Sequence, residues 1–130
     1  MLSRRARSAL DAMTDLARLS RGQPVAARAL ASAGGLPPRQ FETVLQDLVR
    51  AGLLRSVRGM RGGYELARER RRISLGDIIR AVEPVPASAG SPVDVALGQA
   101  MHAYLAALDA VSLDSVGEGP RDAATADFTI

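Results

Sequence analysis

Three glycines fall within six residues at Arg58-Gly59-Met60-Arg61-Gly62-Gly63, and no other feature limits the fold of this chain so strongly. A tight reversal is favoured, because glycine reaches positive φ without a steric penalty. Short runs at 54–57 and 64–67 flank the glycines and read as strands. The segment therefore predicts a β-hairpin whose turn carries two arginines. The glycines lack P-loop spacing and no strand-to-helix context surrounds them, so a nucleotide-cradling loop is set aside.

Everything upstream of the hairpin reads as helix. Ala6, Ala9, Leu10, Met13, Leu16 and Ala17 recur at helical spacing, with Arg7, Asp11, Thr14, Asp15 and Arg18 opposite. This predicts a first amphipathic helix over residues 4–19, ended by Gly22 and Pro24. A second, short helix is expected over 25–33, with Ala26, Ala29, Leu30 and Ala33 inward and Gly34-Gly35 breaking it. Pro37-Pro38 suits the first turn of a third helix, where a missing N–H loses no partner. Phe41, Val44, Leu45 and Leu48 form its inward face, and Arg39, Gln40, Thr43, Gln46 and Asp47 its outer face. Two helices joined by a Gly-containing turn make a helix-turn-helix. A hairpin directly after it makes a wing.

Downstream, Ser74 caps a helix whose inward face is Leu75, Ile78, Ile79 and Val82, with Asp77 in its first turn. A Pro-rich linker follows, and then the longest apolar helix, over 93–111. Its apolar residues cover more than one face. A small domain with surplus apolar surface on a rim helix usually buries the excess against a partner. Val93, Leu97, Ala100, Met101, Tyr104, Leu105 and Leu108 are thus the expected seam of a homodimer. The fold class expected is mainly α with a small β-hairpin wing. A winged helix-turn-helix at 1–83, a linker at 84–92, dimerisation helices at 93–116 and a tail at 117–130 divide the chain.

Composition narrows function. Two Tyr, two Phe and no Trp leave a core of Ala, Leu, Val and Ile, which suits helices better than a β-sandwich. The absence of cysteine excludes disulfides, thiolate metal sites and cysteine nucleophiles. The single histidine, His102, together with the lack of a paired-carboxylate motif, argues against an enzyme. No apolar run approaches the roughly 18 residues of a membrane span. Ser3-Arg4-Arg5 is followed by Asp11, Asp15 and Arg18, which interrupt any export signal, so a cytoplasmic protein is expected. Net charge is +3, unevenly spread: residues 1–82 hold 16 Arg against 7 Asp and Glu, and residues 83–130 hold 1 Arg against 7. A basic first part with an acidic remainder points to a polyanion-binding face on one side.

The order of these pieces resembles the Rrf2 family of bacterial regulators. Ala9-Leu10 through Asp15-Leu16-Ala17 is similar to the family's first helix, and Phe41-Glu42 with Leu45, Leu48 and Ala51-Gly52-Leu53 to its recognition helix. The stretch from Ser56 through Tyr64 to Ala67 is similar to its wing, and Ile73 with Asp77 through Glu83 to the helix that follows. Leu108 through Val116 resembles its C-terminal dimer segment. A homodimer sets two recognition helices about a dyad, so the expectation is a regulator, expected to repress, on an inverted repeat in double-stranded DNA. Three differences stand out. Ser8 replaces a common Tyr, and Gln40 and Thr43 replace the usual Tyr and Gln of the recognition helix, so the family's operator does not carry over. Many members hold an iron–sulfur cluster on three cysteines, whereas residues 83–92 here contain none. No cofactor is therefore expected.

On this reading Arg39, Gln40 and Thr43 face base edges, with Arg39 suited to guanine and Gln40 to adenine. Arg58 reaches the minor groove. Arg55 and Arg61 meet phosphates, with Ser56, Gly59, Gly62, Gly63 and Tyr64 completing the wing's DNA face. Arg4, Arg5 and Arg7 track the backbone. An effector, either a small molecule or a partner protein, would enter between the long helix and the winged helix. The alternative is a winged helix that binds protein without reading DNA sequence.

Overall fold

The computed structural model describes residues 2–30, 35–84 and 90–116. The order is α1 (Arg4–Leu19), α2 (Ala27–Leu30), α3 (Pro38–Arg50), β1 (Leu54–Val57), β2 (Gly63–Leu66), a 3₁₀ turn (Arg70–Arg72), α4 (Leu75–Val82) and α5 (Pro92–Asp109). Ser3 starts α1, its hydroxyl oxygen accepting from the Ala6 N–H at 3.0 Å. The helix buries Ala6, Ala9, Ala12, Met13 and Leu16, along with Ser8. Proline opens α3 at Pro38, as its lost N–H permits, and Phe41, Val44, Leu45 and Leu48 turn inward. These residues join Leu30, Leu53, Ile73, Ile78 and Ile79 in one hydrophobic core.

The second helix starts later than its sequence pattern predicts, at Ala27. Val25 lies outside it and forms an antiparallel bridge to Tyr64, each N–H donating to the other's carbonyl at 2.8 Å. A β-branched residue after Pro24 is at ease in extended backbone, and the wing offers it a ladder partner. Gly63 permits this, since a Cβ there would collide with the Val25 carbonyl. Ala29, expected inward, is exposed, and Ala33 lies outside the described residues.

The hairpin pairs Leu54 with Leu66, Arg55 with Glu65, Ser56 with Tyr64 and Val57 with Gly63. Leu54 is buried at its base, whereas Arg55 and Ser56 are exposed. After the 3₁₀ turn, Ser74 and Asp77 form a reciprocal capping box that starts α4, and α4 packs against α1, α3 and α5.

Helix α5 is capped in the same way by Ser91 and Asp94. Its two apolar faces have different fates, which corrects the expected seam. Leu105 is 1% exposed and lies in the chain's own core, with Met101 and Leu108 half-buried against it. Val93 and Leu97 are 65% and 61% exposed, and Ala100 and Tyr104 lie along the same exposed row. The C-terminal part of α5 thus packs into the winged-helix core. Gly76 allows the close contact, because a Cβ there would stand 3.0 Å from the Leu105 carbonyl oxygen and collide with the Asp109 carboxylate. Beyond α5 the chain returns across α4, the Leu113 N–H donating to the Ile73 carbonyl at 2.7 Å, and 113–116 form a helical turn. The expected tail, 117–130, lies outside the described residues.

Candidate nucleic-acid interface

The first turn of α3 carries Arg39 and Gln40 on its exposed side, with Thr43 one turn later. The Thr43 hydroxyl donates to the Arg39 carbonyl at 3.1 Å, so its proton is engaged and its oxygen faces outward as an acceptor. Arg39 forms no ion pair among the described residues. In the wing, Arg58 and Arg61 are likewise exposed and, among the described residues, unpaired. The Gly62 N–H donates to the Gly59 carbonyl at 3.0 Å and closes the turn that presents them.

The remaining expected contacts divide. Arg55 lies opposite Glu65 and pairs with it at 3.3 Å, so a phosphate would compete with that carboxylate. Arg4 is exposed and unpaired among the described residues, and Arg7 pairs with Asp11 at 3.1 Å along one exposed helix face. Arg5 behaves differently: its guanidinium donates to Asp47 on α3 at 2.5 Å, and Asp47 also holds Arg50 at 3.4 Å. Arg5 is thus a clip that fixes α1 to α3, not a free cation. Gly62 and Gly63 are half-buried, and the Tyr64 side chain packs on the core while its backbone bonds Val25. These three shape the wing instead of facing outward. Sequence reading missed Arg28 on α2, exposed and, among the described residues, unpaired. Its signal was the lack of any carboxylate within four residues. Asp47 was placed only on the outer face, and its role as a hub for Arg5 and Arg50 was missed.

An open crevice of about 380 Å³ lies where α4 meets α5, lined among others by Arg72, Ser74, Asp77, Arg80 and Asp109. Arg80 forms a two-pronged bond to Asp109, at 2.5 and 2.9 Å. This hydrogen bond holds the Asp109 carboxyl below its ordinary value and the Arg80 guanidinium above its own. His102 is exposed on α5.

A helix-turn-helix with a free cation, Arg39, on its second helix, followed by a basic two-stranded hairpin, defines the winged helix-turn-helix class. The Rrf2 family model, described as an iron-dependent transcriptional regulator, matches residues 2–118. Rv1287 of Mycobacterium tuberculosis, whose name describes an HTH-type transcriptional regulator, is 39% identical over 97 residues, 75% of this chain and 58% of that protein. The chain therefore aligns with little more than half the length of that relative. In three dimensions it is similar to T. potens IscR, with a TM-score of 0.73, 33% identity and coverage of 95% of this chain and 88% of the other. CymR, described as the global cysteine regulator of B. subtilis, is similar with a TM-score of 0.71, 29% identity and coverage of 90% and 95%. The chain belongs to the Rrf2 family.

The iron in the family's description can be weighed against the donors present. Clusters are held chiefly by cysteine thiolates, with histidine substituting in some centres. This sequence has no cysteine and one histidine. Among the described residues no three of His, Cys, Asp and Glu gather into a ligand set. Carboxylates are hard ligands and poor substitutes for sulfur on iron. The residues do not fit an iron–sulfur cluster.

Proposed function

We propose that this chain is a sequence-specific regulator of transcription that binds double-stranded DNA as a homodimer and represses by occupying an inverted-repeat operator. One observation carries the reading. Among the described residues, Arg39 on α3 and Arg58 and Arg61 on the wing are exposed and free of any carboxylate, while Arg5, Arg55 and Arg80 are each held by one. A free guanidinium is matched to phosphates and to guanine edges. Arg39 and Gln40 read bases from the N-terminal turn of the recognition helix, the part that enters the major groove in such proteins. Arg58 enters the minor groove, and Arg61 and Arg4 meet phosphates. The second copy docks on the exposed row Val93, Leu97, Ala100 and Tyr104, where large apolar side chains lie open. An effector enters at the α4–α5 crevice.

Gel shifts against duplexes selected from a random pool test this directly. Affinity should fall steeply with salt through counterion release, and the selected sites should be inverted repeats with half-sites about one helical turn apart, or a multiple of it. Selection of a single asymmetric half-site would remove the dimer from the reading. Binding insensitive to salt would remove DNA.

A further inference from the structure

The tip of the wing carries an apolar residue in an unusual position. Met60 has a relative exposure of 105%, above the 65% of Val93 and the 61% of Leu97. A lone exposed apolar side chain needs no explanation by itself. What marks Met60 is its setting. The turn beneath it is pinched: a Cβ on Gly62 would collide with the Val57 carbonyl oxygen and stand 3.0 Å from the Arg58 carbonyl carbon. The Gly62 N–H to Gly59 carbonyl bond at 3.0 Å closes the loop under the methionine. The backbone thus projects Met60 outward, and it stands between Arg58 and Arg61, both exposed and unpaired among the described residues.

We infer that Met60 is an apolar contact of the wing inside the minor groove of duplex DNA. This rests on the DNA-binding reading above and adds to it a residue that acts without charge. The minor groove, about 6 Å wide, is a slot into which proteins insert apolar wedges, methionine among them. Arg58 and Arg61 on either side carry the electrostatics. The unbranched, polarizable thioether then follows the irregular floor and sugar walls. In the free protein that side chain lies wholly in water, so its burial contributes to binding alone.

The test compares wild type with Met60→Gln, Met60→Ala and Met60→Leu on a duplex selected by wild type, titrated at several salt concentrations. Circular dichroism confirms that each variant is folded. Met60→Gln and Met60→Ala should bind about tenfold more weakly, the apolar contact being lost. Met60→Leu should stay within about twofold, as volume-conserving apolar swaps do. The salt slope should be unchanged in all three, since no charge is altered. Losses as large in Met60→Leu as in Met60→Gln, or no loss in any variant, would overturn the apolar contact alone. If wild type showed no salt-dependent duplex binding, the DNA reading would fall and Met60's role with it.

Discussion

At the α4–α5 junction Arg80, Arg68 and Arg70 are each held by a carboxylate, Asp109, Asp77 and Asp114 respectively; on α3 and the wing, Arg39, Arg58 and Arg61 are held by none among the described residues. One residue type therefore does two jobs. Where a carboxylate on another element is supplied by the chain, as for Arg80, Arg68 and Arg70, the guanidinium ties elements together. Where it is missing on α3 and the wing, we propose that the guanidinium faces DNA. The same division separates leucines on a single helix. Leu105 of α5 completes the chain's own core, and Leu97, two turns earlier, is exposed. A group satisfied within the chain reports on folding, and we propose that the unsatisfied ones named here report on binding.

The leucine pair gives the largest expected effect. Leu105→Asp would bury a carboxylate in the hydrophobic core that also holds Ile78, Ile79 and Leu113. Lost packing and the buried charge together should cost about 4 kcal/mol or more, enough to unfold a small domain. Leu97→Glu changes an exposed position, so the melting temperature should barely move while the mass by light scattering halves. A Leu105→Asp protein that stayed folded as a monomer would return Leu105 to the seam. A Leu97→Glu protein of unchanged mass would place the dimer contact elsewhere.

That contrast was only partly legible in the sequence. Helix α1 could be read because its signals are local: a Ser3 cap and apolar residues three and four apart. The hairpin could be read because its glycines punctuate the chain. Apolar residues on both sides of α5 made Leu97 and Leu105 look alike, and only the packing of α5 on α4 distinguishes them. Val25 read as helical because its partner, Tyr64, lies across the sequence in the wing. The arginines follow the same rule. Arg7–Asp11 is an i,i+4 pair visible in any helix, whereas Arg5–Asp47 joins residues 42 apart. Residue type marked the basic face, and tertiary neighbours decided which of its arginines were already engaged.

The wing sharpens the comparison at the next size of effect. Arg58→Ala should weaken operator binding by roughly 1–3 kcal/mol and relax specificity at the position it reads. Arg55→Ala should cost less, about 0–1 kcal/mol and equally for all sequences, because Arg55 must give up Glu65 to meet a phosphate. Glu65→Gln frees Arg55 and should tighten binding to every duplex, with a steeper salt slope. Electrophoretic titration of the three variants on specific and random duplexes checks the order. Equal losses for Arg58→Ala and Arg55→Ala would mean that pairing within the chain does not set an arginine's role.

The smallest effect concerns the exposed ion pair between Arg80 and Asp109, and here pH is the probe. The hydrogen bond from Arg80 holds the Asp109 carboxyl below its ordinary value. A carboxyl depressed by folding stabilises the fold at any pH above its unfolded value, about pH 4. That contribution is lost as pH falls through the folded value and the carboxylate takes up a proton. Arg80, raised from an already high value, stays charged throughout and adds no second transition in this range. Asp109→Asn removes the titrating group. Wild type should therefore melt slightly above Asp109→Asn at pH 7, and the two curves should converge as pH drops below about 4. Both groups are solvent-exposed, so screening keeps the gap small and added salt should narrow it. Operator affinity at pH 7 should be the same in both proteins, because Arg80 and Asp109 line the α4–α5 crevice and not the wing or the first turn of α3. A gap that persisted unchanged well below the carboxylate range would show that the Asp109→Asn substitution disturbs the junction sterically, and a change in operator affinity would move Arg80 to the partner-facing set.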